Sequence, residues 1–302
     1  MSTDPTPPAE SYETFVERDD GASIYVSALG DPGAPAILIL DGIGCSGWAF
    51  RRIAPALAAR GHRVLLPHYR GHGKSPEPPR PWRISMPDLA DDAAAVLDTL
   101  KIERTTLVGF SMGFQVCLEV YRRHRARVDG LVSLAGPAGR VLETFQGTGV
   151  FGQLFPLLRG AAKHAQNLTG RLWRKLVPSR WIIDLGLMTQ LNAERLDVEA
   201  FGFYLEQMAA MNPELFIDML GEAARHTAHD LLPQVRVPSL VVAGAHDTFV
   251  PLATMREIAF AIPGAEWVVL REASHALPAE YPDEVIDRVG NFAAALAASR
   301  PD

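Results

Sequence analysis

Short runs of Val, Ile and Leu recur along the chain, separated by stretches with helical spacing, and this alternation limits the fold more than any other feature. The runs are 36–40 (AILIL), 63–66 (RVLL), 106–110 (TLVGF), 131–134 (LVSL), 239–243 (SLVVA) and 266–270 (EWVVL). They are nearly continuous in apolar residues, as parallel strands covered on both faces are. Helix-compatible stretches occupy 48–60, 86–100, 114–124, 251–261 and 283–298. Strand and helix in repeated succession predict a doubly wound, mostly parallel sheet with helices on both faces. Ahead of the first run, 12–18 and 23–28 read as a hairpin turned at Asp20-Gly21.

The alternation breaks between about residues 136 and 232. That stretch holds no convincing strand but has amphipathic segments at 151–165, 172–176, 198–210 and 214–226. It is far longer than an ordinary connection, so it reads as a helical sub-domain of its own. The expected organisation is therefore a core built from 12–136 and 233–302, with 137–232 set into it. Residues 1–11, rich in Pro, Ser, Thr and Glu, are expected to form a disordered leader. They lack the basic start and apolar run of a secretory signal.

Composition narrows the function classes. A net charge of −6 on 302 residues gives no reason to expect nucleic acid as a partner. No window of about 18 uncharged apolar residues exists to span a membrane. The two cysteines, Cys45 and Cys117, are too few for a disulfide scaffold and read as reduced and buried, which suits a cytoplasmic location. The histidines show no metal-ligand spacing, and no cofactor is expected.

Gly109-Phe110-Ser111-Met112-Gly113 fits G-x-S-x-G. It follows an apolar strand and precedes an apolar helix, the context in which a serine hydroxyl is held exposed on a strained turn. The following helix aims its N-terminal dipole at developing negative charge. These properties make Ser111 a candidate nucleophile.

Taken with Leu40-Asp41-Gly42-Ile43-Gly44, Trp48 and the stretch Pro67-His68-Tyr69-Arg70-Gly71-His72-Gly73-Lys74-Ser75, this motif resembles the α/β-hydrolase superfamily. More narrowly it resembles the branch with a helical cap between strands six and seven. The resemblance runs from about residue 12 to residue 298 and implies an eight-stranded, mostly parallel sheet. It also implies a triad in the chain order serine, acid, histidine.

A serine hydroxyl needs a base to take its proton. Of nine histidines, His275 lies just after the last expected strand, where a parallel sheet presents its carboxyl ends. It also holds the position the resemblance assigns to the base. His72 in the RGHGKS turn reads as a structural hydrogen-bond donor, and His246 would point away from the acid beside it. A base needs a carboxylate on its other nitrogen. Asp247, in the family's G-x-x-D-x-x-x-P pattern, is that candidate, and Glu143 is a lesser one. The oxyanion hole is expected from the amides of Met112 and, by resemblance, Ile43.

Two positions depart from the family pattern. Asp41 stands where histidine is usual, and His68 where aspartate is usual. The exchange is reciprocal, and an Asp41–His68 hydrogen bond bracing the oxyanion loop is expected from it. Cys45 in the same loop reads as a small buried side chain.

The cap stretch contributes Phe145, Phe151, Phe155, Leu158, Trp173, Trp181, Leu187, Met188, Phe201, Phe203, Tyr204, Met208, Met211 and Phe216. Most must pack the cap, and some should face the cleft over Ser111, favouring a small-molecule substrate with an apolar acyl or alkyl group. Residues 144–183 carry Arg159, Lys163, Arg171, Arg174, Lys175 and Arg180 but no acid. This basic part of the cap is a candidate for weak contact with an anionic membrane surface, against the plainer reading of a solvated helix face. A carboxylic ester hydrolase is the function these features favour. Carbon–carbon bond hydrolysis, acyl transfer and perhydrolysis by the same triad are the alternatives.

Overall fold

The computed structural model describes residues 11–139, 166–179, 192 and 194–299. Eight strands form one sheet: β1 (Ser11–Glu17), β2 (Ser23–Leu29), β3 (Ala36–Leu40), β4 (Arg63–Pro67), β5 (Thr105–Phe110), β6 (Val128–Leu134), β7 (Ser239–Gly244) and β8 (Glu266–Leu270). Their spatial order is β1-β2-β4-β3-β5-β6-β7-β8. The hairpin β1–β2 and the β2–β4 pair are antiparallel, and every other pair is parallel. All eight segments coincide with the apolar runs and the hairpin expected from sequence. Ser11, expected in the leader, instead pairs with Leu29 as the first residue of β1.

The helices are α1 (Ile53–Ala59), α2 (Met86–Thr99), α3 (Met112–Arg123), α4 (Gln166–Leu176), α5 (Val198–Ala210), α6 (Pro213–Arg225), α7 (Leu252–Ala261), α8 (Leu277–Glu280) and α9 (Pro282–Ala298). Local chemistry sets several of their starts. Ser85 and Asp88 satisfy each other's backbone amides in a capping box ahead of α2. Asp197 and Asn212 cap α5 and α6, the latter followed by Pro213.

Alternate residues of the strands face opposite sides of the sheet, and each side carries its own core. In β3, Leu38 and Leu40 pack with α2, α3 and α7, whereas Ile37 and Ile39 pack with α1 and α9. Burial on both faces explains why the strand segments read as continuous apolar runs. Between β6 and β7 the described α-helices are α4, α5 and α6, and a short antiparallel bridge between Gly139 and Thr227 draws the two ends of this stretch together. On α4, Arg171, Arg174 and Lys175 are exposed, as are Leu172 and Leu176. Arg159, Lys163 and Arg180 lie outside the described residues. No helix among the described residues is long and apolar enough to cross a membrane.

The order of strands places the functional loops. The connection from β3 leads to β4 on one side, whereas β5 pairs on the other, so the chain reverses direction around β3 and β5. A crevice opens at such a reversal, beyond the carboxyl ends of the strands. The loops after β3, β5, β7 and β8 all emerge at that end.

Candidate active site

Ser111 sits between the end of β5 and the first residue of α3 with φ 52° and ψ −125°. A non-glycine residue there stores strain of about 1–3 kcal/mol, held by its surroundings. The two flanking glycines make the turn feasible by absence. A Cβ on Gly109 would lie 2.5 Å from the Phe114 backbone, and one on Gly113 would lie 1.9 Å from the Leu40 carbonyl oxygen. Gly113 thus lets the start of α3 pass directly against the end of β3.

Three sequence-expected residues meet through hydrogen bonds. His275 Nε2 is 2.9 Å from Ser111 Oγ, and its Nδ1 is 2.9 Å from Asp247 Oδ2. A carboxylate only accepts, so Nδ1 carries the hydrogen and Nε2 faces the serine. Asp247 is buried, and its other oxygen accepts from the Phe249 and Val250 amides at 2.8 Å each, which fixes its direction. The His275 ring packs against Phe249, stacked at 4.9 Å, and against Phe110 at 5.4 Å. His246 is exposed and takes no part, as its place beside the acid implied. The loops carrying Asp247 and His275 touch closely, because a Cβ on Gly244 would lie 2.5 Å from both the Ala273 and Ser274 carbonyl oxygens. Glu143 lies outside the described residues.

The loop after β3 runs against Ser111, and a Cβ on Gly42 would lie 3.3 Å from Ser111 Cβ. The amides of Ile43 and Met112 have no protein acceptor among the described residues, and the Met112 amide belongs to the uncapped start of α3.

The expected Asp41–His68 bond does not form. The Asp41 carboxylate turns back on its own loop and accepts from the Gly42 and Gly47 amides at 2.8 Å each. His68 Nδ1 accepts from the Lys74 amide at 3.0 Å, and its ring packs on Tyr25 at 4.6 Å. Backbone amides lie nearer to each side chain than the side chains do to one another, and a buried acceptor takes the donor within reach. Burial pushes the Asp41 carboxyl up to about 6 against the pull of the two amides, and pushes His68 down to about 4.

His72 has a larger part in this loop than a donor role alone. Its Nδ1 faces the Arg70 carbonyl at 3.0 Å, so Nδ1 donates, and Nε2 accepts from the Gly44 amide at 3.0 Å. The ring is fully buried and its basicity falls to about 4 by desolvation, so it remains neutral. The sequence signal for this was the histidine between two glycines, a pattern that brings an imidazole against backbone. Arg70 anchors the same turn through a two-pronged pair with the buried Asp92, at 2.6 and 2.7 Å.

Cys45 is buried, with its thiol pushed well up by burial and by Asp41, so it is no nucleophile at neutral pH. Met208 of α5 and Phe216 of α6 lie over Gly44, about where its Cβ would be, at 3.1 and 3.0 Å. Trp173 packs on Phe216 at 5.1 Å and donates to the Met208 carbonyl. Phe201 and Tyr204 pack on Trp48. Phe203 faces solvent, and Met211 is buried. Phe145, Phe151, Phe155, Leu158, Trp181, Leu187 and Met188 lie outside the described residues.

Comparison with known proteins gives a consistent picture. A 2-hydroxy-6-oxononadienedioate/2-hydroxy-6-oxononatrienedioate hydrolase of Paraburkholderia phymatum is 32% identical over 288 residues, covering 87% of this chain and 92% of that protein. A pimeloyl-[acyl-carrier protein] methyl ester esterase of Aeromonas hydrophila is 28% identical over 271 residues, covering 89% and 99%. Among solved structures, a hydrolase from Pseudomonas aeruginosa superposes with a TM-score of 0.75 at 24% identity, covering 93% of this chain and 97% of that one. The model of the alpha/beta hydrolase fold matches residues 35–280, and the chain belongs to that family.

Proposed function

We propose that this protein is a serine hydrolase cleaving a carboxylic ester with an apolar acyl or alkyl group, with Ser111 as nucleophile, His275 as base and Asp247 as orienting acid. The observation that carries this reading is the unbroken run of hydrogen bonds from Asp247 through His275 to Ser111. Ser111 attacks the ester carbonyl while His275 Nε2 accepts its proton, and Asp247 stabilises the imidazolium. The Met112 and Ile43 amides hold the oxyanion of the tetrahedral intermediate. His275 returns the proton to the departing alcohol, then takes one from a water that attacks the acyl-enzyme. The acid leaves and Ser111 recovers its hydrogen. In this reading residues 137–232 form a cap, and Met208 and Phe216 supply an apolar wall beside the oxyanion loop.

A second reading has the same triad hydrolyse a carbon–carbon bond next to a ketone, favoured by the 32% identical relative named for such a substrate. The difference lies in the leaving group, a carbon that must be protonated in place of an alkoxide.

Hydrolysis of p-nitrophenyl acetate, butyrate, octanoate and palmitate by the wild type and Ser111→Ala separates the two. Ester turnover lost in Ser111→Ala supports the ester hydrolase. Folded protein inert to every ester but labelled by a fluorophosphonate, and active on a vinylogous diketone, moves the assignment to carbon–carbon hydrolysis. Absence of labelling removes the serine nucleophile from both.

A further inference from the structure

Glu280, at the end of α8, is a buried carboxylate, 5% exposed, that none of the steps above uses. An ionised group so far from water requires several donors to offset its desolvation. Its Oε2 accepts from the Ser274 amide at 2.8 Å, and its Oε1 accepts from the Ser274 hydroxyl and from the Asn192 amide at 2.9 Å. The Ser274 hydroxyl in turn accepts from the Ala276 amide at 3.2 Å. The residues on either side of His275 are therefore tied to one carboxylate, Ser274 directly and Ala276 through a hydroxyl.

The third donor comes from a remote part of the chain. Asn192 belongs to the stretch between β6 and β7, and its side-chain Nδ2 also donates to the Glu272 carbonyl at 2.9 Å. Arg195 pairs with Glu272 at 3.6 Å and covers the Tyr281 ring at 4.6 Å. The Asn192 carbonyl accepts from the Arg195 and Leu196 amides, and Leu196 is buried in the core that contains α1 and α9. Asn192 and Arg195 are thus fastened to the base loop at 272, 280 and 281, with Leu196 seated in the main body.

We infer that Glu280 is a positioning residue, which sets the place of His275 through Ser274 and Ala276 and fastens that loop to Asn192. This rests on the reading of His275 as the base. The ring packs against Phe110 and Phe249, and the residues flanking it in the main chain are held by Glu280. A carboxylate can satisfy all three donors at once, whereas an amide of the same shape turns a donor toward one of them. Such a mismatch displaces the loop by up to about 1 Å without emptying space in the core. Misplacement on the scale of 1 Å near reacting atoms costs on the order of 100-fold in rate.

The test is steady-state kinetics of Glu280→Gln and Ser274→Ala beside the wild type and Ser111→Ala, on the p-nitrophenyl ester the wild type prefers. For Glu280→Gln, kcat is expected to fall on the order of 100-fold with KM within about 2-fold, and the circular dichroism spectrum to be retained. Ser274→Ala, which keeps one of the two Ser274 bonds, is expected to fall between it and the wild type. A folded Glu280→Gln with wild-type kcat overturns the inference, as does a fall in kcat matched by an equal fall in the fraction of folded enzyme. If Glu280→Gln does not fold, Ser274→Ala decides, and wild-type kcat in that variant overturns it. A wild type that neither turns over esters nor reacts with a fluorophosphonate defeats the functional reading instead, before either variant is compared.

Discussion

At Gly113 the Leu40 carbonyl occupies the space a side chain would need, and at Gly244 two carbonyls of the base loop do the same. The obstacles are main chain, which cannot rotate aside as a flexible side chain would. Gly113→Ala is expected to destabilise the protein by about 3 kcal/mol or more, read by urea denaturation, because the start of α3 must move off β3. Gly244→Ala should show a different signature. It separates the loops of Asp247 and His275, so kcat on a p-nitrophenyl ester is expected to fall on the order of 100-fold while a fluorescence-monitored unfolding midpoint shifts less than in Gly113→Ala. The meeting of Ser111, Asp247 and His275 was legible in the sequence because they follow strand ends by one, three and five residues, and a parallel sheet gathers those ends on one side. Asp41 and His68 follow strand ends as well, yet their partnership was misread. Adjacent strands bring loops together, but the turn of each loop decides where a side chain points, and here nearby amides captured both.

The turn that follows β4 shows how one element supports another. It carries His68, Arg70 and His72, and through His72 it holds the Gly44 amide of the loop after β3. His68 and His72 both have basicity lowered in the folded chain from 6.5 to about 4. The unfolded chain therefore binds more protons at these two sites, so the stability they contribute is complete above pH 6.5 and is lost as pH falls toward 4. Asp41 acts in the opposite sense, since its raised value lowers stability as pH rises from 3.8 to about 6. Two protons outweigh one, and these three groups together weaken the fold on acidification. Replacing His72 with Gln is expected to flatten the dependence between pH 6.5 and 4 by up to about 3 kcal/mol in urea-derived stability, whatever it costs at pH 7. An unchanged slope would show that His72 titrates alike in the folded and unfolded chain. Strand and helix positions were readable from apolar spacing, which depends on burial alone. The role of His72 was not, because it depends on which backbone groups a loop leaves without partners.

For the whole molecule, the proposed division between a triad on the sheet and an apolar wall between β6 and β7 is open to test. Met208 and Phe216 lie in the stretch between β6 and β7, whereas Ser111, Asp247 and His275 lie on loops of the sheet. Met208→Ala and Phe216→Ala are expected to move the preferred acyl length upward on the p-nitrophenyl series while leaving turnover of the acetate within about 3-fold. An unchanged chain-length profile in both would take these two side chains out of substrate selection. The eight-stranded sheet was foreseeable because its pattern repeats along the chain, whereas no repeat betrays how the helices at 166–225 lie across it. The β6–β7 pairing itself closes a loop of roughly a hundred residues, and the entropy of such closure grows only with the logarithm of its length, about 0.6 kcal/mol for each doubling. A change in the length of this stretch thus costs the sheet little in closure entropy as long as Leu131–Leu134 still find their partners in β7. Descendants of such a gene can lengthen or shorten the stretch at little cost to the sheet, provided Asn192 still reaches Glu280.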